Sequence, residues 1–134
     1  MSASDEVAAV LEQFRAGWQA LDIERVLACF ADEAVVIGTD AGEYWRGLAD
    51  FADPFRTMGA SFSSARYAWA GQPAIVVAGD VAWADGLLDA SLLAGGQSVD
   101  ARMRTTWVLR RGPSGWRVAQ AHFSVAPAAP VAEY

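Results

Sequence analysis

Trp116-Arg117-Val118-Ala119-Gln120-Ala121-His122-Phe123-Ser124 reads as a strand with two unlike faces. Side chains of a strand alternate, so Trp116, Val118, Gln120, His122 and Ser124 fall on one face, and Ala119, Ala121, Phe123 and Val125 on the other. The first set begins apolar and becomes polar toward its end. A strand that leaves a packed core and continues as the wall of a half-closed pocket has this pattern. Such a wall requires a bent sheet with its concave side covered, and the rest of the chain offers both.

Working back from this strand, the turn Gly112-Pro113-Ser114-Gly115 joins it to an earlier strand at 98–110. The expected register sets Leu109 beside Val118, Trp107 beside Gln120, Thr105 beside His122 and Met103 beside Ser124. The other face then carries Arg102, Arg104, Thr106, Val108 and Arg110, which is unsuited to burial. Across Gly95-Gly96, Asp85 and Asp89 fall on that same outer face and can pair with Arg102 and Arg104. A slip of one residue would exchange the two sets. Further strands are expected at 61–70, 73–78 and 81–93, with turns at Gly71-Gln72 and Gly79-Asp80.

The first sixty residues are mainly helical in pattern. Ser4 is a candidate cap for a helix in which Val7, Val10, Leu11, Phe14, Trp18 and Leu21 recur every three or four residues. Asp22 caps a second helix carrying Ile23, Val26, Leu27 and Phe30. Ala34-Val35-Val36-Ile37 is a short strand that returns through Tyr44-Trp45 after the turn-rich Gly38-Thr39-Asp40-Ala41-Gly42. Leu48, Phe51, Ala52 and Phe55 mark a third helix, in which Pro54 forces an interruption and Asp53-Pro54 supplies the cap and first residue of a restart. Helices first and antiparallel strands afterwards make an α+β domain over 1–126, with 127–134 as a flexible C-terminal tail.

Composition narrows the partners. The 134 residues carry 10 basic and 16 acidic side chains, a formal charge of −6, which argues against nucleic acid because phosphate binding needs a basic footprint. Cys29 is the only cysteine and His122 the only histidine, so no disulfide, cysteine cluster or three-histidine metal set can form within the chain. Gly95-Gly96-Gln97 lacks the lysine and following helix of a phosphate loop, and no cofactor is expected. Without a basic, apolar leader or an apolar run of about 20 residues, the expectation is a cytoplasmic protein with no membrane partner.

The order helix, helix, short hairpin, helix, long sheet resembles the NTF2-like superfamily of cone-shaped domains. Its SnoaL-like branch is similar in the stretch Asp22-Ile23-Glu24-Arg25-Val26-Leu27-Ala28-Cys29-Phe30-Ala31-Asp32-Glu33-Ala34-Val35-Val36, in Arg46-Gly47, and in Trp116-Arg117-Val118 running on to His122-Phe123-Ser124. The resemblance spans about residues 5 to 126 and implies an α+β cone, its helices packed on the concave face of a strongly bent, mostly antiparallel sheet. The superfamily hosts isomerases, dehydratases, cyclases, ligand binders and assembly domains, so it implies no single activity. Ketosteroid isomerases, the best-understood members, place a tyrosine where this chain has Phe14 and an aspartate base where it has Gly38. Their protonated aspartate falls near Thr105 or Trp107. Steroid isomerisation is not implied, since base and oxyanion donors are all missing.

Within a cone, Gln120, His122, Ser124 and Thr105 become the polar anchors of a pocket, and Trp18, Tyr44, Trp45 and Trp107 its apolar grip. Phe14 is expected in plain core. Asp40, Glu43 and Tyr44 sit on the hairpin that closes the mouth, although Asp40-Ala41-Gly42 is also ordinary turn chemistry. Three functions stay open at this point. One is a small, largely apolar molecule bound in the cone. Another is isomerase, dehydratase or cyclase chemistry with His122 as acid or base and Asp40 as a migrated carboxylate. The last is a homodimer or assembly domain built on the outer sheet face, where Trp83, Leu87 and Val108 are expected to lie exposed.

Overall fold

The computed structural model describes residues 1–128, so the expected tail lies outside the described residues from 129 onward. Helix α1 (Ala3–Gln19) leads through a left-handed Leu21 into the short α2 (Ile23–Leu27). A hairpin of β1 (Phe30–Ile37) and β2 (Tyr44–Arg46) is followed by α3 (Leu48–Ala60). The remaining strands are β3 (Ser64–Trp69), β4 (Ala74–Ala78), β5 (Val81–Ala94), β6 (Gln97–Gly112) and β7 (Gly115–Ser124). They form one seven-stranded sheet in the order β2-β1-β7-β6-β5-β3, with β4 sharing the β5 edge with β3. Only β1 against β7 is parallel. The fold is α+β, helices on one face of a mostly antiparallel sheet.

Local chemistry explains most boundaries. Ser2, rather than the expected Ser4, caps α1, because Asp5 stands three residues on and completes a reciprocal pair of side-chain bonds with it. Asp22 caps α2 as expected, its carboxylate accepting from the Arg25 N–H. That helix is shorter than expected: Phe30 leaves it to pair with Val118 at the start of β1. The third helix continues through Pro54 without the expected restart. Proline removes the bond to the Asp50 carbonyl, but Asp50 is exposed in the first turn, where water can take that role. Glycines with positive φ occupy the turns at Gly71, Gly79, Gly95 and Gly96, where residues with a Cβ are strained.

Aromatic rings fill the core between the helices and the sheet. Phe14 lies stacked on Phe123 at 5.6 Å and edge-on to Trp107 at 4.8 Å. Phe30, Phe51 and Phe55 continue the cluster toward α3. On the opposite, outer face Asp89 and Arg102 pair across strands as expected, and the guanidinium holds the Asp89 carboxyl below its ordinary range.

The register of the last hairpin departs from expectation halfway along. Leu109 pairs with Val118, but Val108 pairs with Gln120, so Ala119 is an extra residue, a β-bulge. Beyond it Trp107 faces Ala121, Thr106 faces His122, Thr105 faces Phe123 and Arg104 faces Ser124. The neighbouring strand is irregular at the same level, between Phe30 and Val35. The consequence is a reversal of faces: Ala121 and Phe123 are buried, while Gln120 and His122 are exposed and Ser124 is half-buried against Arg104. The physical reason is the core itself. Phe123 fills the space under Phe14, whereas an imidazole and an amide there would need partners that the rings cannot supply.

Candidate functional site

At the wide end of the cone a hollow of about 80 Å³ opens between the helices, the β1–β2 hairpin and the sheet. Helix α1 contributes Phe14 and Trp18 to its wall, and α3 contributes Phe55 and Met58. The strands add Val36, Trp45, Tyr67, Met103 and Phe123, and the hairpin adds Gly38, Thr39 and Glu43. Ligand pockets usually measure several hundred Å³. This one admits part of a molecule, and two flexible thioethers at its border allow it to adjust.

Thr39, Tyr67 and Glu43 bring polar groups to this largely apolar space, and the last two are held in place by identifiable bonds. Tyr67 is 6% exposed, and its hydroxyl, which solvent still reaches, has no hydrogen-bond partner among the described residues. Burial pushes the phenol up to about 12, so it stays neutral and able to donate at ordinary pH. Its backbone is fixed from outside the sheet: the Gln19 side chain accepts from the Tyr67 N–H at 3.1 Å, and Arg15 donates to the Tyr67 carbonyl at 2.8 Å. Helix α1 thereby anchors the edge strand that carries the phenol.

Glu43 is placed by its own hairpin. Its carbonyl accepts from the Gly38 N–H at 2.7 Å, and its Oε1 accepts from the Asp40 N–H at 3.0 Å. The carboxyl group occupies the space where residue 38 would otherwise carry a side chain. A Cβ built on Gly38 would fall on Oε1 of Glu43 and within 2.8 Å of the Glu43 Cβ. Glycine at 38 is what lets this carboxylate reach the mouth of the hollow.

Of the residues expected in the pocket, Trp18 and Trp45 line the hollow. The others do not, and each has a physical reason. Trp107 is sealed in the core, its indole N–H donating at 2.9 Å to Thr105, whose own hydroxyl is directed to the Gly86 carbonyl at 2.8 Å. Tyr44 is exposed on the outer face, where its hydroxyl accepts from Arg46, because strand alternation gives Trp45 alone the inner side. Gln120, His122 and Ser124 are outside through the Ala119 bulge. His122 therefore cannot act as the pocket's acid or base. Asp40 is exposed at the hairpin tip and serves the turn, its N–H bound to Glu43.

Tyr67 was the residue that strand alternation in Ala65, Tyr67 and Trp69 could have brought forward, since all three share the inner face. Among the described residues no group of three or more His, Cys, Asp or Glu side chains is arranged to hold a metal ion. The Cys29 thiol is buried and pushed up to about 12, so it is unreactive. No helix among the described residues is long and apolar enough to cross a membrane.

Comparison with known proteins agrees with the geometry. A nuclear transport factor 2 (NTF2-like) superfamily protein from Salmonella enterica superposes with a TM-score of 0.87 at 23% identity, covering 98% of this chain and 96% of its own. An NTF2-like protein of unknown function from Pseudomonas putida gives 0.80 at 23% identity over 93% and 87% of the two chains. A ketosteroid isomerase-like protein from Erwinia carotovora gives 0.78 at 18% identity over 92% and 97%. Identities this low establish the fold alone. No curated protein matches. Residues 7–129 match the SnoaL-like domain family, and the chain belongs to that family.

Proposed function

We propose that the domain binds a small, largely apolar molecule at the wide end of the cone. The observation that carries this reading is the largely apolar hollow itself, walled by Trp18, Trp45, Phe55 and Met58 and bordered by Tyr67, whose hydroxyl no group among the described residues engages. That hydroxyl is open to solvent in the free protein, and a ligand oxygen or nitrogen can take the place of water for a bond worth about 0.5–1.5 kcal/mol. The hollow is smaller than the 150 Å³ that an engineered apolar cavity needs for benzene, so one end of the ligand enters and the rest meets Trp45 and Glu43 at the mouth. A cytoplasmic setting belongs to this reading, since a lone reduced cysteine such as Cys29 is ordinary there.

The test is a thermal-shift screen of small metabolites, followed by titration of the best ligand into Tyr67→Phe. A ligand that binds only the folded state raises the melting temperature. Loss of one hydrogen bond weakens binding by about five- to tenfold. The melting temperature of the free variant should stay within about 2 °C of the parent, because no protein hydrogen bond is lost. Equal affinity in both proteins would exclude the phenol from the site.

The outer face supports a second role as a homodimer surface. Val76, Trp83 and Val108 pair in a row across β4, β5 and β6, and each remains exposed, Trp83 at 48%. An apolar row on a sheet of mixed charges fits a two-fold copy of itself. Sedimentation equilibrium should give a dimer, and Trp83→Arg should weaken it by about thirtyfold or more, as for a central aromatic contact. A parent protein that is monomeric at tens of micromolar would end this reading.

A further inference from the structure

We propose that the group received by the hollow is an alkylammonium, with Glu43 as its counter-charge and the rings of Trp18, Trp45, Phe55 and Tyr67 around its substituents. This rests on the reading of the cone mouth as a ligand site and names the chemistry it selects.

The wall of the hollow has one charged side chain, the Glu43 carboxyl, and no arginine, lysine or histidine among the described residues. Of the basic groups on the flanking elements, Arg15 is engaged with Glu12 and the Tyr67 carbonyl, Arg46 with the Tyr44 hydroxyl, Arg56 with Glu24 and Asp53 and Arg104 with Ser124, while Arg66 is exposed on the face of β3 opposite Tyr67. One Glu43 oxygen accepts from the Asp40 N–H, and the other has no partner among the described residues. Any ligand that closes the mouth strips water from this carboxylate. A neutral ligand returns nothing for that loss, an anion adds repulsion, and a cation offsets it.

Ring geometry points the same way. Trp18 and Phe55 are 5.4 Å apart and inclined by 52°, Trp45 and Phe55 are 5.9 Å apart at 81°, and Trp18 and Tyr67 are 6.2 Å apart at 33°. The four rings pack on one another and all border the hollow, and aromatic faces attract a cationic centre, above all one clad in methyl groups. A methylated ammonium is compact and apolar at its surface, which suits a hollow of about 80 Å³. The formal charge of −6 also draws small cations toward the protein at low salt.

The experiment titrates the full chain at low salt with choline, with its neutral carbon isostere 3,3-dimethylbutan-1-ol, and with 3,3-dimethylbutanoate. Binding is read from the indole N–H signals of Trp18 and Trp45. Choline should bind about tenfold tighter than the neutral isostere, and the anion should not bind. Glu43→Gln keeps an acceptor for the Asp40 N–H and should bring choline and the isostere within about twofold of each other. Gly38→Ala, which displaces the carboxyl group, should do the same. If the neutral isostere binds as well as choline, or if choline keeps its tenfold preference over the isostere in a folded Glu43→Gln, the inference fails and the pocket reading stands. If none of the three compounds moves the two indole signals at millimolar concentration, both fail.

Discussion

Trp107→Ala lowers the free energy of unfolding by about 3–5 kcal/mol, the range for removing a large aromatic side chain from a packed core. The ring is 1% exposed and meets three others: Phe14 at 4.8 Å, Phe123 at 5.3 Å and Trp69 at 6.3 Å, each edge-to-face or nearly so. It thus joins α1 to both β3 and β7, and its loss leaves a void that three inclined rings cannot close by sliding. A domain of this size has about 5–15 kcal/mol in total, so the variant sits near the threshold of folding. Thr105→Val separates the polar part of the effect, because it keeps the volume and orphans the Trp107 N–H at a cost of about 1–3 kcal/mol. Urea unfolding followed by circular dichroism measures both. A loss below about 1 kcal/mol for Trp107→Ala would mean that the core between the helices and the sheet is not a close-packed unit.

Local signals in the sequence located nearly every element. The three-and-four spacing from Val7 to Trp18 marks α1, the glycine pairs mark the hairpins, and Asp22 marks the start of α2. Where expectation missed, the deciding interaction was either subtler or distant. The choice of Ser2 over Ser4 was readable, because only Ser2 has an acidic residue three positions on. The passage of α3 through Pro54 was not, since it depends on where the unbonded carbonyl ends up. The site was half readable. Trp18 follows from helical spacing, and Trp45 and Glu43 from their places in the hairpin at the mouth, but the space that the Glu43 carboxyl takes beside Gly38 is set by the chain folding back there. The unpartnered state of the Tyr67 hydroxyl is a property of the assembled cone and has no counterpart in local sequence. The largest error, the face of His122, came from counting by twos through a position where the strand inserts one residue.

Phe123→Ala tests that last point directly, and it carries the other large effect. Phe123 is 8% exposed and packs on Phe14 at 5.6 Å and on Trp107 at 5.3 Å, so its truncation should lower the free energy of unfolding by about 3–5 kcal/mol. His122→Ala, on the exposed face, should change it by less than about 0.5 kcal/mol. Deleting Ala119 separates a bulge from continuous pairing, because the ladder passes directly from Leu109–Val118 to Val108–Gln120. Removal of residue 119 leaves those pairs adjacent and keeps Ala121 and Phe123 inward, whereas in an unbulged strand it would reverse every face beyond it. In the parent, His122 should react with diethyl pyrocarbonate as a freely exposed imidazole. A His122→Ala variant that loses more stability than Phe123→Ala, or a parent imidazole shielded from the reagent while the chain is monomeric, would return His122 to the interior and overturn the placement of every residue from Gln120 to Ser124.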